Sequence, residues 1–227
     1  MTATLPFGPL DTAKALVIGH DPALQGSATQ ASYAFFADMY FGPLPASGSE
    51  RAKYDLAKAM YDYIYCLSNG RYKPEDIYVT NLCNERLRRT SDNKGKVVYI
   101  PEDCALRGVD ALKGVVAQHQ FESIFAMSQQ VNYWLQKLGF CEAVAEYLAG
   151  AEPRQKDAAK GIYASKGTSP FLKICGSRLT AQGVPLFPIL HVKQIPLDER
   201  LAPHYAPLLE KVKRAFTAPG KQEGKAV

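Results

Sequence analysis

Four short stretches of this sequence place polar, chemically able side chains directly after apolar runs: Gly19-His20-Asp21-Pro22, Thr80-Asn81, Ser128-Gln129-Gln130 and His191. Together they offer a carboxylate (Asp21), two imidazoles (His20, His191), an amide (Asn81) and a hydroxyl (Ser128). Carboxylates and imidazoles are the usual general acids and bases, and a carboxamide supplies a donor and an acceptor at once. Each residue also fits a plainer use. Asp21 before Pro22 suits a turn or helix cap, and His20 a hydrogen bond within a loop. Asn81 can tie down the segment after it, and His191 can be a satisfied core histidine.

The elements that must position them follow from hydrophobic pattern. Ala15–Gly19 and Ser123–Met127 are short continuous apolar runs, and Ile77–Leu82 is rich in β-branched and aromatic residues. Such runs suit parallel strands covered on both faces. Val184–His191 is a fourth strand, whose two prolines point to an irregular or edge position. Helical spacing is expected from Ser27 through Tyr33, Phe36 and Tyr40, and from a cap at Ser49 through Leu56, Met60, Ile64 and Leu67 to a stop at Asn69-Gly70. Further helices are expected over Val109–Gln118, after Ser128 as N-cap, over Glu142–Leu148, and over His204–Phe216. The form of the polar, basic region 150–182 is left open. Alternating strands and helices predict a three-layer α/β/α fold with a short central, mainly parallel four-stranded sheet. Right-handed crossovers then bring every strand's carboxyl end to one rim, where open α/β sheets bind ligands. All four polar stretches fall on that rim.

The totals set bounds. The 227 residues suit one domain, read as 1–216, with a Lys- and Gly-rich mobile tail at 217–227. A hydrophobic fraction of 47% against 22% charged residues describes an ordinary globular chain and excludes a disordered one. The net charge of +5 leans only mildly toward an anionic partner. No secretory leader and no membrane-spanning run is visible, so a cytoplasmic location is expected. The five cysteines, Cys66, Cys83, Cys104, Cys141 and Cys175, are widely spaced and odd in number, and read as reduced, mostly buried thiols. None forms a Cys-x-x-Cys pair, so neither metal nor cofactor is expected.

In order and context, three of the stretches resemble the uracil-DNA glycosylase superfamily. Gly19-His20-Asp21-Pro22 looks like its first motif, a strand ending in Gly-Gln-Asp-Pro or a variant. Tyr78-Val79-Thr80-Asn81-Leu82 is similar to its second strand, which carries an Asn near the end. Phe187-Pro188-Ile189-Leu190-His191 resembles the strand that leads into its last motif. The resemblance spans about Ala15 to Ile195 but lies in those few segments. The chain departs from the best-studied branch at two places. Ala23-Leu24 stand where Tyr and His follow the first Asp-Pro, and Val192-Lys193-Gln194 follow His191 where Pro-Ser is usual. Lys193 then offers a charge where the serine would contact phosphate.

The resemblance implies a monofunctional DNA glycosylase that cuts the bond between uracil, or a related damaged base, and deoxyribose. Asp21 would stabilise the cationic sugar and orient water, and His191 would donate to the leaving base. Asn81 would match the O4 and N3–H edge of uracil, which cytosine presents reversed. Gly19, His20 and Ser128 would line the base site. The expected partner is DNA, single-stranded or with a flipped-out base. Arg86, Arg88, Arg89 and Lys193 are the expected phosphate contacts, with Lys94 and Lys96 in the same basic loop and Lys156, Lys160, Lys166 and Lys173 in a second. The alternatives are a nucleic-acid or nucleotide-binding module of the same fold without hydrolysis, and an unrelated doubly wound enzyme.

Overall fold

The computed structural model describes residues 4–20, 33–85, 99–153, 170–192 and 202–218, with the backbone alone for 202–205. Strands β1 (Ala15–Gly19), β2 (Ile77–Asn81), β3 (Ser123–Met127), β4 (Leu179–Ala181) and β5 (Val184–Ile189) form one sheet in the order β2-β1-β3-β5-β4. All pairings are parallel except β4 with β5. The sheet thus has five strands, not four. The extra one is a three-residue hairpin arm cut from the basic region 150–182, too short to register as a strand in an apolar pattern.

Alternation sorts each strand's side chains between two cores. Leu16 and Ile18 enter one core with Ile124, Ala126 and Leu186, while Ala15 and Val17 enter the other with Val79, Phe125, Met127 and Phe187. The first core is closed by α2 (Glu102–Gln118), α3 (Gln129–Lys137), α4 (Ala145–Ala151) and the single turn α5 (Phe171–Ile174). The second is closed by α1 (Gly48–Leu67) and α6 (Ala202–Thr217). Helices on both faces of a mainly parallel sheet give the three-layer α/β/α fold. Full burial of β1, β2 and β3 explains why they read as unbroken apolar runs.

Two prolines sit inside β5, yet the strand is internal, between β3 and β4, rather than at an edge. The carbonyl of Ile189 accepts from Ser128 N–H, and the carbonyl of Pro188 accepts from Gly176 N–H on the opposite side. Pro188 therefore directs its nitrogen away from β3, beyond the end of β4, where no ladder partner exists. By the same alternation Pro185 faces β3, one residue before pairing with β3 starts at Leu186. Neither ring removes a ladder hydrogen bond, so both are tolerated.

Other boundaries move for local reasons. The α1 helix begins at Gly48 behind Ser47 rather than at a Ser49 cap, and α2 starts seven residues before Val109, with Glu102 and Asp103 in its first turn. The aromatic segment expected to be α-helical is a 3-10 helix, Ala34–Phe41, broken at Phe35 and Phe36, which both have left-handed backbone. Residues 27–32 of that expected helix lie outside the described residues. No helix among the described residues is long and apolar enough to cross a membrane.

Cysteine usage needs a correction. Cys83 and Cys104 form a disulfide between the segment after β2 and the first turn of α2, with their Cα atoms 6.1 Å apart. Sequence spacing cannot reveal this pair, because the fold alone brings the start of α2 over the end of β2. Gly108 permits that approach: a β-carbon there would overlap the Leu82 carbonyl oxygen. Of the remaining thiols Cys66 is exposed, while burial pushes Cys141 and Cys175 up to about 12. A thiol reagent at neutral pH is expected to label Cys66 alone in the folded protein, three cysteines after unfolding, and five after unfolding with reductant. Mass spectrometry counts these directly. Closing a loop of 21 residues is worth about 3 kcal/mol. Reduction should therefore lower Tm by about 6–12 °C.

Candidate active site

The chain passes from β1 out to β2 and returns to the far side of β1 as β3. The first connection carries α1 to one face and the second carries α2 to the other. The carboxyl ends of β1 and β3 thus flank a topological switch point, where such sheets open a crevice.

Gly19 and Asn81 are register partners at the ends of β1 and β2. Pairing continues past them, with Leu82 N–H donating to the Gly19 carbonyl at 2.9 Å and Cys83 N–H to that of His20 at 3.3 Å. Two groups converge over Gly19. A β-carbon at this position would stand closer than 3.0 Å to Asn81 Oδ1 and to Cε2 and Cζ of Phe35. The amide and the ring therefore share the space that any larger residue would fill. Asn81 is 4% exposed, and among the described residues its side-chain amide has no hydrogen-bond partner.

Phe35 also meets the end of β5. Its ring stacks on His191 with centroids 5.6 Å apart and planes inclined by 28°. The ring reaches both neighbours because Phe35 and Phe36 adopt φ of 55° and 53°, which few non-glycine residues do. Phe35 is the ring that makes both contacts, whereas its neighbour Phe36 lies under Lys53 Nζ at 5.6 Å from its centroid. Nothing in the run Tyr33-Ala34-Phe35-Phe36 distinguishes the two rings, since the kink is imposed by packing against α1.

His20 and Ser128 close the switch point. The imidazole is buried, and Ser128 Oγ lies 3.5 Å from its Nδ1. Ser128 occupies the N-cap position of α3 as expected, but its hydroxyl makes no capping bond. The helix start is held instead by Asn132, whose N–H and Nδ2 both donate to the Ser128 carbonyl.

Five of the expected site residues, Gly19, His20, Asn81, Ser128 and His191, are therefore at neighbouring strand ends, joined by contacts through Phe35 and between His20 and Ser128. Asp21, Arg86, Arg88, Arg89 and Lys193 lie outside the described residues. So do Lys94, Lys96, Lys156, Lys160 and Lys166, while Lys173 is exposed on α5. Near the end of β2, Arg107 reaches both Glu85 and Asp103, and its hydrogen bond holds the Asp103 carboxyl below its ordinary range. Among the described residues no group of three His, Cys, Asp or Glu is placed to hold a metal ion.

An aromatic ring meets an amide over Gly19 and stacks on an imidazole on its other contact, and a carboxylate residue follows His20 directly in the chain. The sequence matches no protein-family model and no curated protein.

Proposed function

We propose that this protein is a DNA glycosylase that removes uracil or a related damaged base by hydrolysis, leaving an abasic site. The observation that carries the reading is the meeting of Asn81 with Phe35 over Gly19, and of Phe35 with His191, at the sheet edge, with Asp21 two residues after Gly19 in the chain. A pyrimidine that enters beside the Phe35 ring would meet the His191 imidazole that stacks on that ring. Asn81 then reads O4 and N3–H with its donor and acceptor, satisfying an otherwise unpartnered amide.

The bond between the base nitrogen and C1′ breaks with its electron pair passing to the base. The His191 imidazole N–H stabilises the negative charge on O2. Asp21 stabilises the cationic sugar and accepts a proton from the water whose oxygen bonds to C1′. The base finally leaves with a proton from solvent. A base within duplex DNA must leave the stack to enter, so single strands or flipped-out nucleotides are the substrate form. Arg86, Arg88, Arg89 and Lys193 are the proposed phosphate contacts, which would make affinity fall with added salt.

The deciding experiment offers single-stranded and duplex oligonucleotides bearing one uracil, with other deaminated and alkylated bases alongside. Free base is detected by mass spectrometry, and abasic sites by alkaline strand cleavage. Release of uracil is expected. Tight binding without release from any of these bases would instead identify a binding module of the same fold. Asn81→Asp keeps the acceptor and loses the donor, and should reduce uracil release about tenfold, the value of one hydrogen bond.

A further inference from the structure

The geometry points to Ser128 as a positioning residue for His20, kept in a backbone conformation that glycine alone occupies without strain. Ser128 has φ 82° and ψ 159°. For a residue with a β-carbon this region costs on the order of a few-fold to a hundredfold in the folding equilibrium, and it persists only where surrounding bonds impose it. Those bonds are present. Ser128 N–H donates to the Ile189 carbonyl at 3.2 Å. Its carbonyl accepts from Asn132 N–H at 3.2 Å and from Asn132 Nδ2 at 2.8 Å. The same buried amide anchors itself on the Ala126 carbonyl at 2.9 Å.

Glycine would satisfy each of those backbone bonds and carry no strain. What serine adds is one hydroxyl, and that hydroxyl caps nothing in α3. It stands 3.5 Å from His20 Nδ1, a long hydrogen bond that links the end of β3 to the end of β1 across the switch point. With the hydroxyl donating to Nδ1, the ring proton resides on Nε2. His20 precedes Asp21 and follows Gly19, so it lies in the chain among the proposed site residues. The functional half of this inference rests on the glycosylase reading: there, His20 Nε2–H donates to an oxygen of the bound nucleotide.

Ser128→Gly and Ser128→Ala separate this from a merely structural role, because stability and activity should move in opposite directions. Glycine relieves the strain and should raise Tm by about 2–6 °C, whereas alanine retains the β-carbon and should not. Both variants lose the hydroxyl and should lower kcat/KM for uracil release about tenfold. Both should also change the ¹⁵N resonances of the His20 ring, because Nδ1 loses its donor. A Tm for Ser128→Gly at or below wild type would overturn the inference, as would unchanged His20 resonances in Ser128→Ala or full activity in both variants. If the wild-type protein releases no base, the glycosylase reading fails, and the melting and ring measurements still decide the placement of His20.

Discussion

His191→Ala is expected to lower the rate of base release by about 10²–10³-fold, the usual cost of removing one preorganised donor from a developing anion. Binding of the oligonucleotide should change much less, because the charge on O2 appears only as the bond breaks. The effect belongs in kcat, and single-turnover kinetics at saturating enzyme measures it. His191 is only half-buried and stacks on Phe35, so truncation should cost little stability. Asp21→Asn is expected to fall in the same range or beyond it, about 10²–10⁴-fold, by removing the carboxylate proposed to stabilise the cationic sugar. Equal losses in kcat for both variants, with Kd for a uracil oligonucleotide held within a few-fold, would support opposite ends of one bond-breaking step. Loss of binding alone would argue that these residues hold the ligand and do no chemistry.

Gly19→Ala should be nearly as damaging to activity, about 10²-fold, although it adds one methyl group and removes nothing. The new carbon would lie within 3.0 Å of Asn81 Oδ1 and of two Phe35 ring atoms. These are the far ends of side chains, so they can give way and the fold survives. The expected fall in Tm is about 3–8 °C, typical of modest overpacking. The function does not survive so easily, because displacing the reading amide or the stacking ring by about 1 Å spoils the bound geometry. Gly114→Ala is the matched control. A β-carbon there meets nothing within 4 Å on the solvent side of α2, so activity should be unchanged and Tm should rise slightly. If Gly19→Ala released base at the wild-type rate, the placement of Asn81 and Phe35 over Gly19 would not matter to the bound base.

The prediction for Gly19 also indicates what the primary structure can and cannot disclose. Strands β1 and β3 were legible residue for residue, and β2 to within one, because continuous burial on both faces leaves an uninterrupted apolar run. Their polar endings were legible for the same reason. An apolar run must stop, and the residues just beyond it lie at the sheet's edge. From strand and helix alternation came the three-layer architecture and the rim that carries Gly19, His20, Asn81, Ser128 and His191. All of this depends on local pattern, which neighbours along the chain determine.

Features that depend on contacts between distant segments were hidden. The internal place of β5, despite Pro185 and Pro188, follows from which side each residue presents to β3. The Cys83–Cys104 bond follows from α2 crossing the end of β2. The left-handed backbone at Phe35 and Ser128 is imposed by packing and by the grip of Asn132, against the preference of either residue. Thus the sequence by itself determined which chemical groups reach the edge of the sheet. Only tertiary structure decided which of them touch. Phe35 lies 16 residues from Gly19 and His191 lies 156 from Phe35, yet they meet through strand order, and no local propensity encodes that order.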